Sequence, residues 1–352
     1  MVFQRIYLLL VCFLSQEVYA FHLFHYDFPP LKESTGTVEM TVIDSERMDP
    51  HSEGKLQREL PIRVWYPGID IPKQDFSYWG YAKRELILRE FSLETGFPKF
   101  LVEPVNQGEI RSKENLPIVP GKYPVVILLH GLMGAIEEST DLAEFLASKG
   151  FFVIGIEFPY GSMISKISQM SEPIRTSKKL IEILTRYPVS KPELIAYRKE
   201  EHKIWVEDVR FVLHTLQSRK NEMFSHLDWK NMSMIGHSHG GMVALDACLK
   251  EATCQSSVNM DGWTYELEFP ADLKKHLLLT TLSSGEYFNS FCSNKVNCSS
   301  KKITECDIGH EGFSDKIYIK WPFSHFTHNQ CGSKSVEIKQ LIHKKIEEFI
   351  RK

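Results

Sequence analysis

The stretch Asn231-Met-Ser-Met-Ile-Gly-His-Ser-His-Gly-Gly-Met-Val-Ala244 decides how the rest of the chain is read. A short apolar run (Met232, Met234, Ile235) leads into Gly236-His237-Ser238-His239-Gly240, and helix formers follow from Met242 to Leu245. Strand, G-x-S-x-G and helix is the order that lifts a serine to the apex of a sharp turn with its hydroxyl exposed. A side chain two residues before or after that serine would clash. Gly236 and Gly240 lack a Cβ and let the backbone fold there. The competing reading is a buried turn serine without chemistry.

Outward from this turn the chain alternates strands and helices. Val38 to Val42 and Pro61 to Tyr66 predict two early strands, separated by a polar turn over Ser45 to Glu59. Pro124-Val-Val-Ile-Leu-Leu129 is an apolar run typical of a strand covered on both faces, and it ends at His130-Gly-Leu-Met-Gly134. A helix is expected over Thr140 to Ser148, stopped by Gly150, then a buried strand over Phe151 to Phe158. A polar insertion, Tyr160 to Lys191, precedes a long amphipathic helix with Trp205, Val209, Val212 and Leu216 on one face. After the serine turn a strand ends at Val258-Asn-Met-Asp261. Further strands are expected over His276 to Leu282 and Lys302 to Ile308. A last helix carries Ile338, Leu341, Ile342, Ile346 and Phe349 at helical spacing. This alternation predicts an α/β fold, a mostly parallel sheet flanked by helices, with its chemistry beyond the C-terminal strand ends.

Composition narrows the classes. In 352 residues, 43% are apolar and 25% charged, ample for a core, and a net charge of −3 gives no reason to expect nucleic acid. Arg5, the apolar run Ile6 to Leu14 and the small residues Val18 and Ala20 describe a secretory signal cut after Ala20. The run is too short to span a bilayer. The expectation is therefore a leader over residues 1–20 and a single catalytic domain over 21–352. Beyond Cys12 the cysteines are Cys248, Cys254, Cys292, Cys298, Cys306 and Cys331. An even number in an exported chain suggests disulfides, and sequential pairing, with Cys306 and Cys331 clamping the segment between them, is the simplest arrangement. His237-x-His239 lacks a carboxylate partner, since Gly240 and Gly241 stand where one would be wanted. No metal and no cofactor are called for. Asn231-Met-Ser and Asn297-Cys-Ser fit the N-glycosylation pattern, the first leading into a buried strand.

A serine hydroxyl needs a base and an orienting acid before it attacks anything. Asp261 lies one helix and one strand after Ser238, at the tip of the neighbouring strand; the alternative is a turn aspartate before Gly262. His310, in Gly309-His-Glu-Gly-Phe-Ser-Asp315, follows the last short strand and completes the order serine, acid, histidine. His276, His325 and His328 are rivals, the first starting a strand, the others falling after the sheet is complete. The oxyanion of a tetrahedral intermediate needs amide donors. The His239 N–H and the Leu132 N–H are placed to supply them.

With Gly-His-Ser238-His-Gly-Gly, Asp261 directly after the next strand, His310-Glu-Gly-Phe-Ser-Asp and His130-Gly-Leu, the chain resembles the platelet-activating factor acetylhydrolase family of α/β-hydrolases. The resemblance runs from about Thr37 to Asp315, and Ser77-Tyr-Trp-Gly-Tyr-Ala-Lys83 falls where that family carries a lipid-docking helix. It implies a secreted, calcium-independent phospholipase A2-type esterase acting on short or oxidised sn-2 acyl chains. It also implies phospholipid as substrate and a lipid or membrane surface as peripheral partner. His239 stands where the family usually carries an aromatic residue, and the tail after Asp315 has no counterpart. Two other readings stay open: a broader carboxylesterase or polyesterase of the dienelactone hydrolase kind, and a silent hydrolase fold used for binding.

The aromatic-rich segment around Tyr78, Trp79, Tyr81, Leu86, Ile87, Leu88 and Phe91, with Lys83, Arg84 and Arg89 nearby, suits a half-wet lipid interface. The alternative is plain packing. Changing Leu86 and Ile87 together to Glu should abolish vesicle binding while leaving turnover of a soluble acetyl ester near normal; unfolding or retained binding would make the segment core.

Overall fold

The computed structural model describes residues 33–71, 110–186, 191–219, 221–263, 267–282, 291–318 and 330–352, with residues 31, 89, 92, 93, 98 and 284 between them. The leader, the segment from Tyr78 to Leu88, Phe91, His325 and His328 lie outside the described residues.

The strands are β1 (Thr35–Met48), β2 (Gln57–Pro67), β3 (Lys113–Glu114), β4 (Tyr123–Leu129), β5 (Phe152–Ile156), β6 (Ile164–Ser165), β7 (Ile174–Arg175), β8 (Leu227–His237), β9 (Cys254–Met260), β10 (Asp272–Thr280) and β11 (Val296–Lys302). Nine of them form one sheet in the order β11-β10-β9-β8-β4-β5-β2-β1-β3. From β5 through β4, β8, β9 and β10 to β11 the pairing is parallel. The β1–β2 hairpin is antiparallel and joins β5 antiparallel.

Strand periodicity assigns the two faces. Val125, Ile127 and Leu129 of β4 point into one core with Trp205, Val209, Val212 and Leu216 of α3 (Pro192–Ser218) and Val243, Ala244 and Ala247 of α4 (His239–Lys250). Val126 and Leu128 point the other way. They meet Leu142 and Leu146 of α1 (Thr140–Ser148) and Ile338, Ile342 and Ile346 of α5 (Ser335–Arg351). A sheet buried on both faces has strands without polar alternation, which is why the β4 sequence is uniformly apolar.

The polar insertion Tyr160–Lys191 holds the β6–β7 hairpin and α2 (Lys178–Arg186). One expectation needs correction. The final strand is Val296–Lys302, where a strand over Lys302 to Ile308 was expected, and Ile303 to Ile308 is irregular. Val296–Lys302 is an edge strand with six of its seven residues exposed, so it carries no hydrophobic signal, whereas Ile303 and Ile308 are buried from a loop. Asn297 is exposed on that edge.

The disulfides pair in sequence, Cys248–Cys254, Cys292–Cys298 and Cys306–Cys331. The last closes a 25-residue separation around His310. A loop of that length restricts the unfolded chain by about 3.5 kcal/mol. The double variant C306S/C331S should therefore lose about 3 kcal/mol of unfolding free energy in a urea titration of the oxidised protein, more than loss of either short six-residue bridge.

Candidate active site

The apolar β8 strand runs straight into α4, and the chain reverses between them at Ser238, whose φ is 53° and ψ −125°. That left-handed region is costly for any residue with a Cβ. It is held by close contacts on both sides. A Cβ at Gly236 would strike the Gly240 carbonyl, and one at Gly240 would strike the His130 carbonyl, so glycine is required at both places. The Ser238 N–H donates to the Met260 carbonyl (2.9 Å) and the Ser238 carbonyl accepts from the Gly241 N–H (2.9 Å). From Met232 to Leu245, Ser238 is the single residue not fully buried. The turn presents it.

Asp261 follows β9 in the same manner, with φ 56°. Its N–H donates to the Leu279 carbonyl (2.8 Å). The Asn259 side chain clamps the turn by accepting from the Gly262 N–H (2.7 Å) and donating to the Gly262 carbonyl (2.9 Å). The two carboxylate oxygens divide their partners. Oδ2 accepts from His310 Nδ1 at 2.6 Å, while Oδ1 accepts from the Ser284 hydroxyl and the Thr281 N–H (3.4 Å).

His310 begins a 3-10 turn, His310–Phe313. With its Nδ1 proton committed to Asp261, the ring presents Nε2 as the acceptor nitrogen. Burial works against an imidazolium here, but the Asp261 hydrogen bond and the charges of Asp261 and Glu311 outweigh it, so His310 is held above its ordinary value. The His237 ring lies 4.7 Å away and donates Nε2–H to the His310 carbonyl (2.9 Å). Burial, reinforced by His310, pushes His237 down to about 3.

The neighbouring loop comes from the end of β4. A Cβ on Gly131 would stand 2.9 Å from Ser238 Cβ and 3.5 Å from its Oγ, so this backbone borders the hydroxyl. The His130 ring fixes the loop by donating Nδ1–H to the Gly131 carbonyl (2.7 Å) and accepting at Nε2 from the Phe158 N–H (3.2 Å). Within a trans peptide the C=O and N–H point opposite ways, so this bond also sets the direction of the Leu132 N–H. The Met133 and Gly134 N–H groups are spent on the Gly161 and Gly131 carbonyls (2.7 and 3.0 Å), whereas the Leu132 N–H has no partner among the described residues. His239 opens α4, where backbone N–H groups and the helix dipole favour negative charge. Its ring is buried edge-on to Trp205 (4.9 Å), and burial holds it well below the ordinary imidazole value.

The structure thus gathers Ser238, Asp261, His310, Leu132 and His239 at the C-terminal ends of β4, β8 and β9. The rival His276 is buried in β10 with Nδ1 against Ser257 Oγ (2.7 Å), away from this group. Several contributors carry no signal in the sequence. Ser284 and Thr281 sit in an irregular loop without any signal. Lys316 bridges Glu311 (2.9 Å) and Glu138 (3.0 Å), tying the His310 turn to the segment just after the Gly131 loop. Only Glu311, adjacent to His310, was within sight of the motif. Among the described residues no group of three or more His, Cys, Asp or Glu is arranged to hold a metal ion.

Comparison with one solved structure gives the same fold. A ferulic acid esterase from Streptomyces cinnamoneus superposes with a TM-score of 0.73 at 19% identity, covering 93% of this chain and 92% of that one. A dienelactone hydrolase from Anabaena variabilis matches with a TM-score of 0.43 at 13% identity, covering 89% and 98%. The family profile described as platelet-activating factor acetylhydrolase, isoform II, matches residues 71–349. With an elbow serine, a paired aspartate and histidine and a parallel sheet beneath them, the chain belongs to the platelet-activating factor acetylhydrolase isoform II family.

Proposed function

We propose that this chain is an exported, calcium-independent serine esterase that hydrolyses short or oxidised sn-2 acyl esters of phospholipids, a 1-alkyl-2-acetylglycerophosphocholine esterase in type. Family membership supports an esterase-type hydrolase. The observation that carries the serine mechanism is the 2.6 Å bond from His310 Nδ1 to Asp261 beside the strained, presented Ser238, and the phospholipid substrate rests on family membership. In this reading His310 Nε2 takes the Ser238 proton as Oγ attacks the ester carbonyl. The Leu132 and His239 N–H groups stabilise the oxyanion. Collapse expels the lysophospholipid oxygen, which receives the proton from His310, and water then cleaves the acyl-enzyme by the same route in reverse. The disulfides fit an oxidising compartment. Among the described residues no helix is long and apolar enough to cross a membrane.

Ser238→Ala should abolish ester hydrolysis with the fold intact, and a fluorophosphonate probe should label Ser238 alone. His310→Ala should lose at least about a thousandfold in rate. The same change at His325 or His328 should cost little. Turnover of an acetyl phospholipid alongside a plain acetyl ester tests the substrate class: equal rates on both would point to a general carboxylesterase.

The base must be neutral to accept a proton, so kcat/KM should fall as pH drops through the His310 value, with a midpoint above the ordinary imidazole value of 6.5. Because Asp261 is what lifts His310 against burial, Asp261→Asn should move that midpoint down as well as slow the reaction. A pH–rate profile of both proteins checks the direction; a wild-type midpoint below 6.5 would contradict it.

A further inference from the structure

We propose that His237 is a positioning residue: from the place next to the nucleophile, its ring holds the main chain of the base, so that Ser238 and His310 are set against each other by one side chain. The inference rests on the Ser238–His310–Asp261 reading and adds a member that acts through His310.

The need for such a tether follows from where His310 lies. Ser238 and Asp261 directly follow sheet strands and inherit the stiffness of the ladder. His310 belongs to a 3-10 turn, whose hydrogen bonds (Gly312 N–H to Gly309 and Ser314 N–H to Glu311) close within the turn itself. The Asp261 bond fixes one ring nitrogen, and a ring held at one atom still pivots about that bond. A second fixed point is required. The Lys339 ammonium supplies one further along, on the Phe313 carbonyl (2.7 Å), and Lys316 holds the Glu311 side chain. On the His310 peptide itself the donor is His237 Nε2–H, at 2.9 Å.

The chemistry of His237 suits this role and no other at the site. A carbonyl only accepts, so the tautomer is fixed as Nε2–H. The ring is 5% exposed and stays neutral, so it adds no positive charge beside an imidazolium forming 4.7 Å away. It therefore neither takes the Ser238 proton nor opposes the charge that His310 gains. It registers the base against the strand that carries the nucleophile.

The test is a pair of substitutions in the full-length oxidised protein. His237→Leu keeps the bulk and removes the donor, whereas His237→Gln places an amide N–H near the former Nε2. His237→Leu is expected to lower kcat by roughly tenfold to a hundredfold, the loss typical of a small displacement of a reacting group. KM, the circular dichroism spectrum and the melting temperature should stay near wild type, fluorophosphonate labelling of Ser238 should slow in proportion, and His237→Gln should recover most of the loss. Wild-type kcat in His237→Leu, a loss not recovered by Gln, or a loss accompanied by a matching rise in KM would overturn the proposal. Where His237→Leu does not fold, His237→Asn, polar but too short to reach the His310 carbonyl, stands in with the same expectation. Ser238→Ala and His310→Ala run in parallel. If those are dead while His237→Leu is fully active, only the tether fails; if they turn over, the triad itself is wrong.

Discussion

Two residues with left-handed backbone, Ser238 at φ 53° and Asp261 at φ 56°, are the constraint on which the site depends. Each costs on the order of 1–3 kcal/mol that the surroundings must offset. They do so by one device used twice. The Ser238 N–H bonds to Met260, the last residue of β9, and the Asp261 N–H bonds to Leu279 of β10. Each strand end extends its ladder one step onto its neighbour before the chain turns. The strain is thereby carried by adjacent parallel strands, the stiffest part of the molecule, and the serine and the acid keep their separation because the sheet does.

The proposed base, His310, is secured differently. It stands on irregular chain beyond the sheet, and its support is a set of buried and half-buried charges. Asp315 accepts from the Asp141 N–H at the start of α1 (3.0 Å), and the Lys339 ammonium of α5 reaches the Phe313 carbonyl. Lys316 lies between Glu138 and Glu311; burial pushes Glu138 up, whereas Glu311 is held low because the Lys316 ammonium overcomes the cost of burial. Removing Asp315 or Lys339, both buried, strands the other without water, which commonly costs several kcal/mol. These contacts define a single arrangement of the His310 turn better than an apolar surface would, since an ammonium and a carboxylate bond only in particular directions.

Much of this was legible in the sequence, for reasons that differ by residue. The strand–turn–helix around Ser238 has only a few chemical solutions, and glycines at 236 and 240 announce it. Val125 to Leu129 is readable because a strand covered on both faces must be apolar throughout. Asp261 follows from chain length, one helix and one strand after the serine. What escaped depends on contacts between residues far apart in sequence. The strand β11 is polar and exposed, so no periodicity marks it. Ser284 meets Asp261 only because two loops converge, and Lys316 meets Glu138 across a separation that no local pattern encodes. His237 is legible in the sequence only as half of a His-x-His pair without a carboxylate, and the fold alone gives its ring a partner.

The environment also decides which imidazole can work. His237, His239 and His310 all lie within a short distance of Ser238 along the chain or in space, and composition cannot rank them. Burial separates them. His239 is sealed against Trp205 and His237 against the His310 turn, and both are pushed down far enough to remain neutral and hold no exchangeable charge near neutral pH. His310 alone of the three combines a partly open ring with a carboxylate on Nδ1, and its tendency to bind a proton is raised instead. Environments that drive like groups apart in this way divide the labour among them. In the proposed reaction two histidines are fixed parts of the frame, and the third is the one that accepts a proton from the serine and gives it back.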